Sequence, residues 1–254
     1  MKESKTPLIS QMEKTRRNPK VLGMGNEMGH TEIRRFENEG SHGNPNSYVE
    51  KPVLDENIAR ETLVMWQELK RLGLPVVDFL KVVKKRDRET GKDEYFIAMQ
   101  DLSNGGRRIV VELGSSVDWD TGRTHHSSDI LDIAKNKREI REKMVKALAV
   151  LHNNNIYEFH PFLSFFLVVD RSEITTQGPV VDFRILDYSN FTHTDSKLTP
   201  LQSSYNKAGR SVKQMMAGNL EHLRLGRWPK EIYDFAAIKR LYKKYRVEGL
   251  KIYS

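Results

Sequence analysis

The chain of 254 residues contains no cysteine. Disulfide bonds, thiolate catalysis and cysteine-ligated zinc are therefore excluded, and the composition fits a reducing compartment. No apolar run approaches the roughly 18 residues that a transmembrane helix requires. The first 20 residues are polar and basic and lack the apolar core of a secretory signal. We therefore expect a cytoplasmic protein without a membrane span.

The chain is not short of apolar residues or of charge. It is 38% hydrophobic and 30% charged, which is typical of a globular protein with a core. Its net charge is +8, and the basic surplus is greatest near the two termini. The cations concerned are Lys14, Arg16, Arg17, Lys20, Lys239, Arg240, Lys243, Lys244 and Arg246. Such clusters can attract nucleic acid or an acidic partner, but solvated basic helix faces are the more common explanation.

The first hundred residues predict the order β-β-β-α-β-β. The expected strands are residues 21–25, 30–36, 48–53, 76–83 and 95–99. Residues 59–72 have the apolar spacing of a helix, with Asp55 or Asn57 as its cap and Gly73 and Pro75 at its end. Residues 1–19 are expected to be a flexible basic arm.

The remainder of the chain predicts more helix than strand. The expected helices are residues 130–152, 203–223 and 230–245, and the expected strands are 109–113, 166–169 and 180–186. Residues 115–128 are polar and read as an irregular loop. The fold class expected is therefore α+β, with a β-rich part at 20–100 and a mostly helical part at 101–254.

Four short motifs occur in a characteristic order. They are GMGNEMG at 23–29, Lys51 in a strand, LGLPV at 72–76 after a helix, and ILDYS at 185–189. Together they resemble the protein-kinase-like superfamily over about residues 20–190, closest in style to RIO-type and aminoglycoside-phosphotransferase-type kinases. The resemblance implies a two-lobed kinase-like fold, with a five-stranded lobe carrying one helix and a shortened helical lobe.

The resemblance also implies an ATP site in the β-rich part. Gly23, Gly25 and Gly29 would let backbone amides approach the triphosphate, although an ordinary glycine turn has the same composition. Lys51 would grip the α- and β-phosphates. Its expected partner is Glu61, with Glu68 as the alternative seven residues later.

Two further elements complete the nucleotide side. Backbone groups from Met99 to Leu102, including Asp101, would meet the adenine edge. Asp187 corresponds to the aspartate that holds Mg²⁺ against the β- and γ-phosphates. ATP and Mg²⁺ are the cofactors implied.

The residues that would carry out phosphoryl transfer, called here the transfer side, depart from the kinase pattern. The catalytic aspartate is replaced by His160, and the asparagine that ligates the second metal ion is replaced by Phe165. A histidine can still accept a proton, but a phenylalanine cannot ligate a metal. Loss of both groups should reduce phosphoryl transfer by several powers of ten.

The sequence therefore favours an ATP- and Mg²⁺-binding pseudokinase that acts as a regulator or scaffold for a protein partner. One alternative is an active atypical Ser/Thr or small-molecule kinase that uses His160 as base, with Glu158 or Asp182 in place of the missing ligand. A second alternative is a kinase-like module that binds nucleic acid or an acidic partner through its basic termini.

Overall fold

The computed structural model describes residues 20–25, 31–36, 47–113, 115–117, 124–158, 164–174, 178–193, 214, 217–220 and 235–252. Two compact units share these residues. Unit 1 takes those within Met1–Val64 and Val77–Arg108. Unit 2 takes those within Met65–Val76, Ile109–Asp118 and Gly122–Ser254.

Strands dominate the first half of the chain, and helices are added in the second half. The strands are β1 Lys20–Gly25, β2 Thr31–Phe36, β3 Tyr48–Val53, β4 Leu80–Arg86, β5 Asp93–Gln100, β6 Arg108–Glu112, β7 Ser115–Val117, β8 Thr124–His126, β9 Ile156–Glu158, β10 Phe165–Asp170, β11 Asp182–Ile185 and β12 Phe191–His193. The helices are α1 Glu56–Arg71, α2 Ser127–Ile133, α3 Lys137–Asn153 and α4 Phe235–Ile252. The α+β class is confirmed.

Unit 1 is built on a five-stranded antiparallel sheet in the order β1-β2-β3-β5-β4. Side chains alternate across it, so that Tyr48, Val83 and Ala98 form a buried cluster on one face. The opposite face carries Tyr95, whose hydroxyl donates to Glu56 of α1 at 2.8 Å. The predicted order β-β-β-α-β-β is confirmed.

Helix α1 begins and ends where its sequence signals lie. The Asp55 carboxylate accepts from the Ile58 N–H at 2.9 Å, satisfying a donor that the first turn leaves unpaired. Gly73 follows the helix with φ +72°, a left-handed conformation in which glycine avoids the strain of a side chain.

Unit 2 is organised around α3. Its apolar stripe of Ile140, Met144, Ala147, Leu148 and Leu151 is buried, as the helical spacing predicts. Three small sheets accompany it, in the orders β11-β10-β6, β12-β9 and β7-β8.

Two sequence predictions for unit 2 are wrong. The expected helix at 130–152 is divided into α2 and α3, because residues 134–136 bond elsewhere. Lys135 N–H donates to Pro179 O at 3.0 Å, and the Asn136 side chain pairs with the backbone of Val181 at 2.7 and 2.9 Å. The expected irregular loop at 115–128 instead contains the hairpin strands β7 and β8.

The C-terminal helices fall partly outside the described residues. Most of the helix expected at 203–223 lies there, although residues 217–220 are helical. The helix expected at 230–245 begins later, at Phe235, and continues to Ile252 as α4. None of the helices described is long and apolar enough to span a bilayer.

Candidate functional site

Lys51 lies near the centre of the unit 1 sheet. It stands on β3 opposite Ile97 of β5, a residue that is 1% exposed. Val53, two residues along on the same face, pairs with Tyr95, the residue bonded to Glu56 of α1. Lys51 therefore occupies the helix-facing side of the sheet, whereas its neighbour Glu50 points to the other side and pairs with Lys85.

The glycine segment begins in a regular hairpin. Gly23 and Gly25 lie on β1, paired with Ile33 and Thr31 of β2, and the register shifts between Val21 and Gly23. Such an irregularity bends a strand and increases its local twist. Gly29 lies outside the described residues.

Asp101, expected beside the adenine, has a buried side chain with several partners in unit 1. Its carboxylate pairs with Arg35 at 3.0 Å, and the two side chains are 3% and 2% exposed. Asp101 also accepts from Ser47 Oγ at 3.0 Å and from the backbone N–H groups of Ser103 and Gly105 at 2.9 and 3.0 Å. This carboxylate fixes the turn after β5. Met99 is the penultimate residue of β5 and lies two positions before Asp101.

The two glutamates proposed as partners of Lys51 differ in their surroundings. Glu61 of α1 is exposed. Glu68 lies two turns later and bonds His193 Nε2 at 2.9 Å, within unit 2. Because His193 belongs to β12, this contact ties the end of α1 to the strand that follows the Asp187 turn.

Asp187 lies in a strained turn between β11 and β12. Its backbone is left-handed, with φ 50° and ψ 52°, and its carbonyl accepts from Asn190 N–H at 2.8 Å. Left-handed backbone is uncommon for residues other than glycine and is concentrated at functional sites. The side chain is half-buried. The turn thus presents a carboxylate in a fixed backbone conformation.

Phe165, which the sequence analysis expects in place of the second metal ligand, belongs to the core of unit 2. It is 0% exposed on β10, pairs with Ile185 of β11, and its ring lies 5.5 Å from that of Phe183. Phe165 therefore packs against apolar side chains in the core. His160 lies outside the described residues.

The two acidic residues considered as replacement ligands are both engaged. Asp182 pairs with Arg184 on the same strand. Glu158 is 1% exposed, and burial raises its pKa well above the ordinary value, with the carboxylates of Asp187 and Glu112 adding to the shift. Hydrogen bonds from Ser164 oppose that shift. A carboxyl group in these surroundings resists ionisation.

The donor set fits Mg²⁺ only together with phosphate oxygens. Among the described residues, no group of three or more His, Cys, Asp or Glu side chains could hold a metal ion by itself. Mg²⁺ commonly uses one or two carboxylates and completes its octahedron with water and substrate phosphates. Asp187 could supply one such carboxylate.

Comparisons with known proteins give little information on this chain. No family model and no curated protein matches the chain. Among solved structures it is similar to WaaP in complex with acyl carrier protein. That match covers 96% of this chain and 94% of the other, at 12% identity and a TM-score of 0.40. Function therefore has to be inferred from the residues themselves.

Sequence reasoning missed a set of buried polar residues that are hydrogen-bonded, directly or through one another, to Glu158. They are His152, Ser164, Asn190 and Asn219, all of them at most 9% exposed, with Tyr242 at the outer end. Isolated Ser and Asn residues carry no periodic signal, and their partners are distant in sequence. Their only sequence signature is closeness to two motif positions. Ser164 directly precedes Phe165, and Asn190 follows Asp187 by three residues.

Proposed function

We propose that this chain is a kinase-like protein that binds ATP with Mg²⁺ and transfers phosphate weakly or not at all. Lys51 contacts the phosphates, oriented by Glu61 or Glu68, and Asp187 holds the metal ion. The observation that carries the proposal is the contrast between Asp187 and Phe165. One is a half-buried carboxylate on a left-handed turn, and the other is a fully buried core residue at the position of a metal ligand.

ATP binding needs fewer groups than phosphoryl transfer. When bound, Mg²⁺ neutralises the charge of the β- and γ-phosphates, and one carboxylate with phosphate oxygens is sufficient to hold it. Transfer also requires a group that orients the acceptor hydroxyl, together with full charge neutralisation. The engaged states of Glu158 and Asp182 leave neither as a ready substitute. These facts support ATP binding with weak or absent transfer, and a role as regulator or scaffold for a protein partner is the function we propose for such a chain.

Two assays on the purified full chain test the proposal. Titration with a fluorescent ATP analogue should give saturable binding in Mg²⁺, weakened by Lys51→Met and by Asp187→Asn. The second substitution removes the charge while keeping a residue that tolerates left-handed backbone. Incubation with γ-labelled ATP should give no transfer to the chain or to generic acceptors.

The outcomes separate the three functions considered. Transfer that disappears in Asp187→Asn would show an active atypical kinase. Absence of ATP binding, together with salt-dependent binding of an oligonucleotide, would favour the basic-module alternative. Exposed cations on α4, namely Lys239, Arg240, Lys243 and Lys244, are the residues to substitute in that case.

A further inference from the structure

Three buried side chains form a chain of hydrogen bonds beside Asp187 in unit 2. Both carboxylate oxygens of Glu158 accept from the Ser164 N–H at 2.9 Å. One of them, Oε1, also accepts from Ser164 Oγ at 2.5 Å. Asn190 Nδ2 in turn donates to Ser164 Oγ at 3.1 Å. The three residues are 1%, 3% and 9% exposed, so water does not compete for these bonds.

This chain connects two segments that are separate in the sequence. Glu158 and Ser164 flank residues 159–163, the segment that contains His160. Asn190 closes the turn of Asp187, because its backbone N–H donates to the Asp187 carbonyl at 2.8 Å. The antiparallel pairing of β9 with β12 also joins these two segments, because Phe191 lies opposite Glu158.

The backbone of Glu158 is held from the other side by a second set of bonds. Its N–H donates to Asn219 Oδ1 at 3.2 Å, and its carbonyl accepts from Asn219 Nδ2 at 3.0 Å. Asn219 Oδ1 also lies 3.4 Å from His152 Nε2, whose other ring nitrogen lies 2.5 Å from the Tyr242 hydroxyl of α4. Because burial lowers the pKa of His152 to about 4, the ring is neutral at pH 7. Nε2 then donates and Nδ1 accepts.

Glu158 is held at two places, its carboxyl group by Ser164 and its backbone by Asn219. Its side chain links the end of one motif segment to the Asp187 turn, while its backbone is anchored towards α3 and α4. A ligating carboxylate depends on neighbouring hydrogen bonds that fix its orientation, and loss of such a bond commonly reduces metal affinity about 10- to 100-fold.

We propose that Glu158 is a positioning residue for the Mg²⁺·ATP site: through Ser164 and Asn190 it fixes the turn that presents Asp187. This inference rests on the proposed function, since it requires that Asp187 ligate the metal ion. Glu158 itself touches neither nucleotide nor metal. Its effect should therefore be confined to the Mg²⁺-dependent part of ATP affinity.

The test is a titration of the full chain with a fluorescent ATP analogue, with Mg²⁺ and with EDTA. Glu158→Ala should weaken binding about 10-fold or more in Mg²⁺ while leaving the EDTA value within about threefold. Glu158→Gln keeps an acceptor for Ser164 and should restore Mg²⁺-dependent binding to within about threefold of wild type. If Glu158→Ala fails to fold, Ser164→Ala and Asn190→Ala each remove fewer bonds and should show the same selective loss.

Asn136→Ala is the matched control. Asn136 makes a similar pair of side-chain bonds within unit 2, to the backbone of Val181, and takes no part in the Glu158 chain. It should lower the melting temperature without changing the ratio of Mg²⁺ to EDTA affinities. If the Glu158, Ser164 and Asn190 variants behave like this control while wild type binds ATP, the positioning role is refuted and the proposed function stands. If wild type does not bind ATP, the proposed function is what fails.

Discussion

Gly178 occupies a position where a side chain would collide with the backbone. Its φ is +84°, and an added Cβ would lie 1.8 Å from the carbonyl oxygen of Ile133. The bond from Lys135 N–H to Pro179 O holds the segment of Gly178 close to the segment of Ile133. The approach of these two segments therefore depends on glycine.

Gly178→Ala should be strongly destabilising. Left-handed strain contributes about 1–2 kcal/mol, and the backbone shift needed to relieve the collision adds about 1–3 kcal/mol. Gly73→Ala is the control, because Gly73 has a similar φ of +72° and no atom within 4 Å of the added Cβ. Urea denaturation of both variants measures the difference, and equal losses of stability would contradict the collision.

His152 gives the protein a pH dependence of known sign. Its pKa is about 4 in the folded chain and about 6.5 in an unfolded one, because the ring is buried away from water. Below pH 6.5 the unfolded state binds the extra proton, so stability falls as the pH decreases towards 4. The contribution lost between pH 7.5 and pH 5 is about 2 kcal/mol.

A comparison with His152→Gln isolates that contribution. Glu158 has the opposite dependence, because its pKa is raised and its stabilising effect is lost as the pH rises. Since Glu158 is present in both proteins, its effect cancels in the difference. The stability of wild type minus that of the variant should decrease by about 2 kcal/mol from pH 7.5 to pH 5. A pH-independent difference would mean that the ring titrates normally.

At the scale of elements, local signals predicted much of unit 1. Strand β3 has the predicted bounds, and α1 begins after a capping residue and ends at a glycine, as expected. Such signals act between residues close in sequence. The break between α2 and α3 could not be predicted in this way, because its backbone groups bond to Pro179 and Val181, more than 40 residues away.

In the candidate site, too, local sequence signals predict some residues and not those whose partners are distant in sequence. The positions of Lys51 on a strand and Asp187 after one follow from short motifs. The buried partners of Glu158 do not, because Ser164, Asn190 and Asn219 meet only in the folded unit. Asp101 was expected beside a ligand, and its engagement with Arg35 likewise depends on a partner 66 positions away that no local pattern indicates.

Asp55→Ala should weaken the start of α1. The substitution removes the acceptor of the Ile58 N–H, at an expected cost of about 1 kcal/mol. Asp55→Ser retains a capping oxygen and should remain within a few tenths of a kcal/mol of wild type. Chemical denaturation followed by circular dichroism measures both variants, and equal destabilisation by Ala and Ser would show that the cap contributes nothing.

Phe165→Asn places the expected kinase ligand at a position that the structure buries in the core. Because Phe165 is 0% exposed and packs on Phe183, removing the ring should cost about 3–5 kcal/mol, before any penalty for burying an amide. Phe165→Leu should lose considerably less stability, since it remains apolar. Thermal unfolding measures the two variants. A stable Phe165→Asn protein with new phosphotransfer would contradict the core assignment.

At the scale of the whole molecule, the central claim is that the nucleotide residues are retained without a complete metal site. Within the described residues no group of three or more His, Cys, Asp or Glu side chains could hold a cation, so Mg²⁺ should bind only together with ATP and should strengthen ATP binding. A ligand that binds the folded state raises its stability according to its concentration and affinity. This mutual dependence can therefore be followed through thermal unfolding.

The most direct measurement is a thermal-shift titration of the full chain with ATP, with Mg²⁺, and with both. The melting temperature should rise with ATP and Mg²⁺ together, change little with Mg²⁺ alone, and lose most of the joint increase in Asp187→Asn. Absence of any shift with ATP, in either the presence or the absence of Mg²⁺, would contradict the account and leave the chain without a nucleotide role.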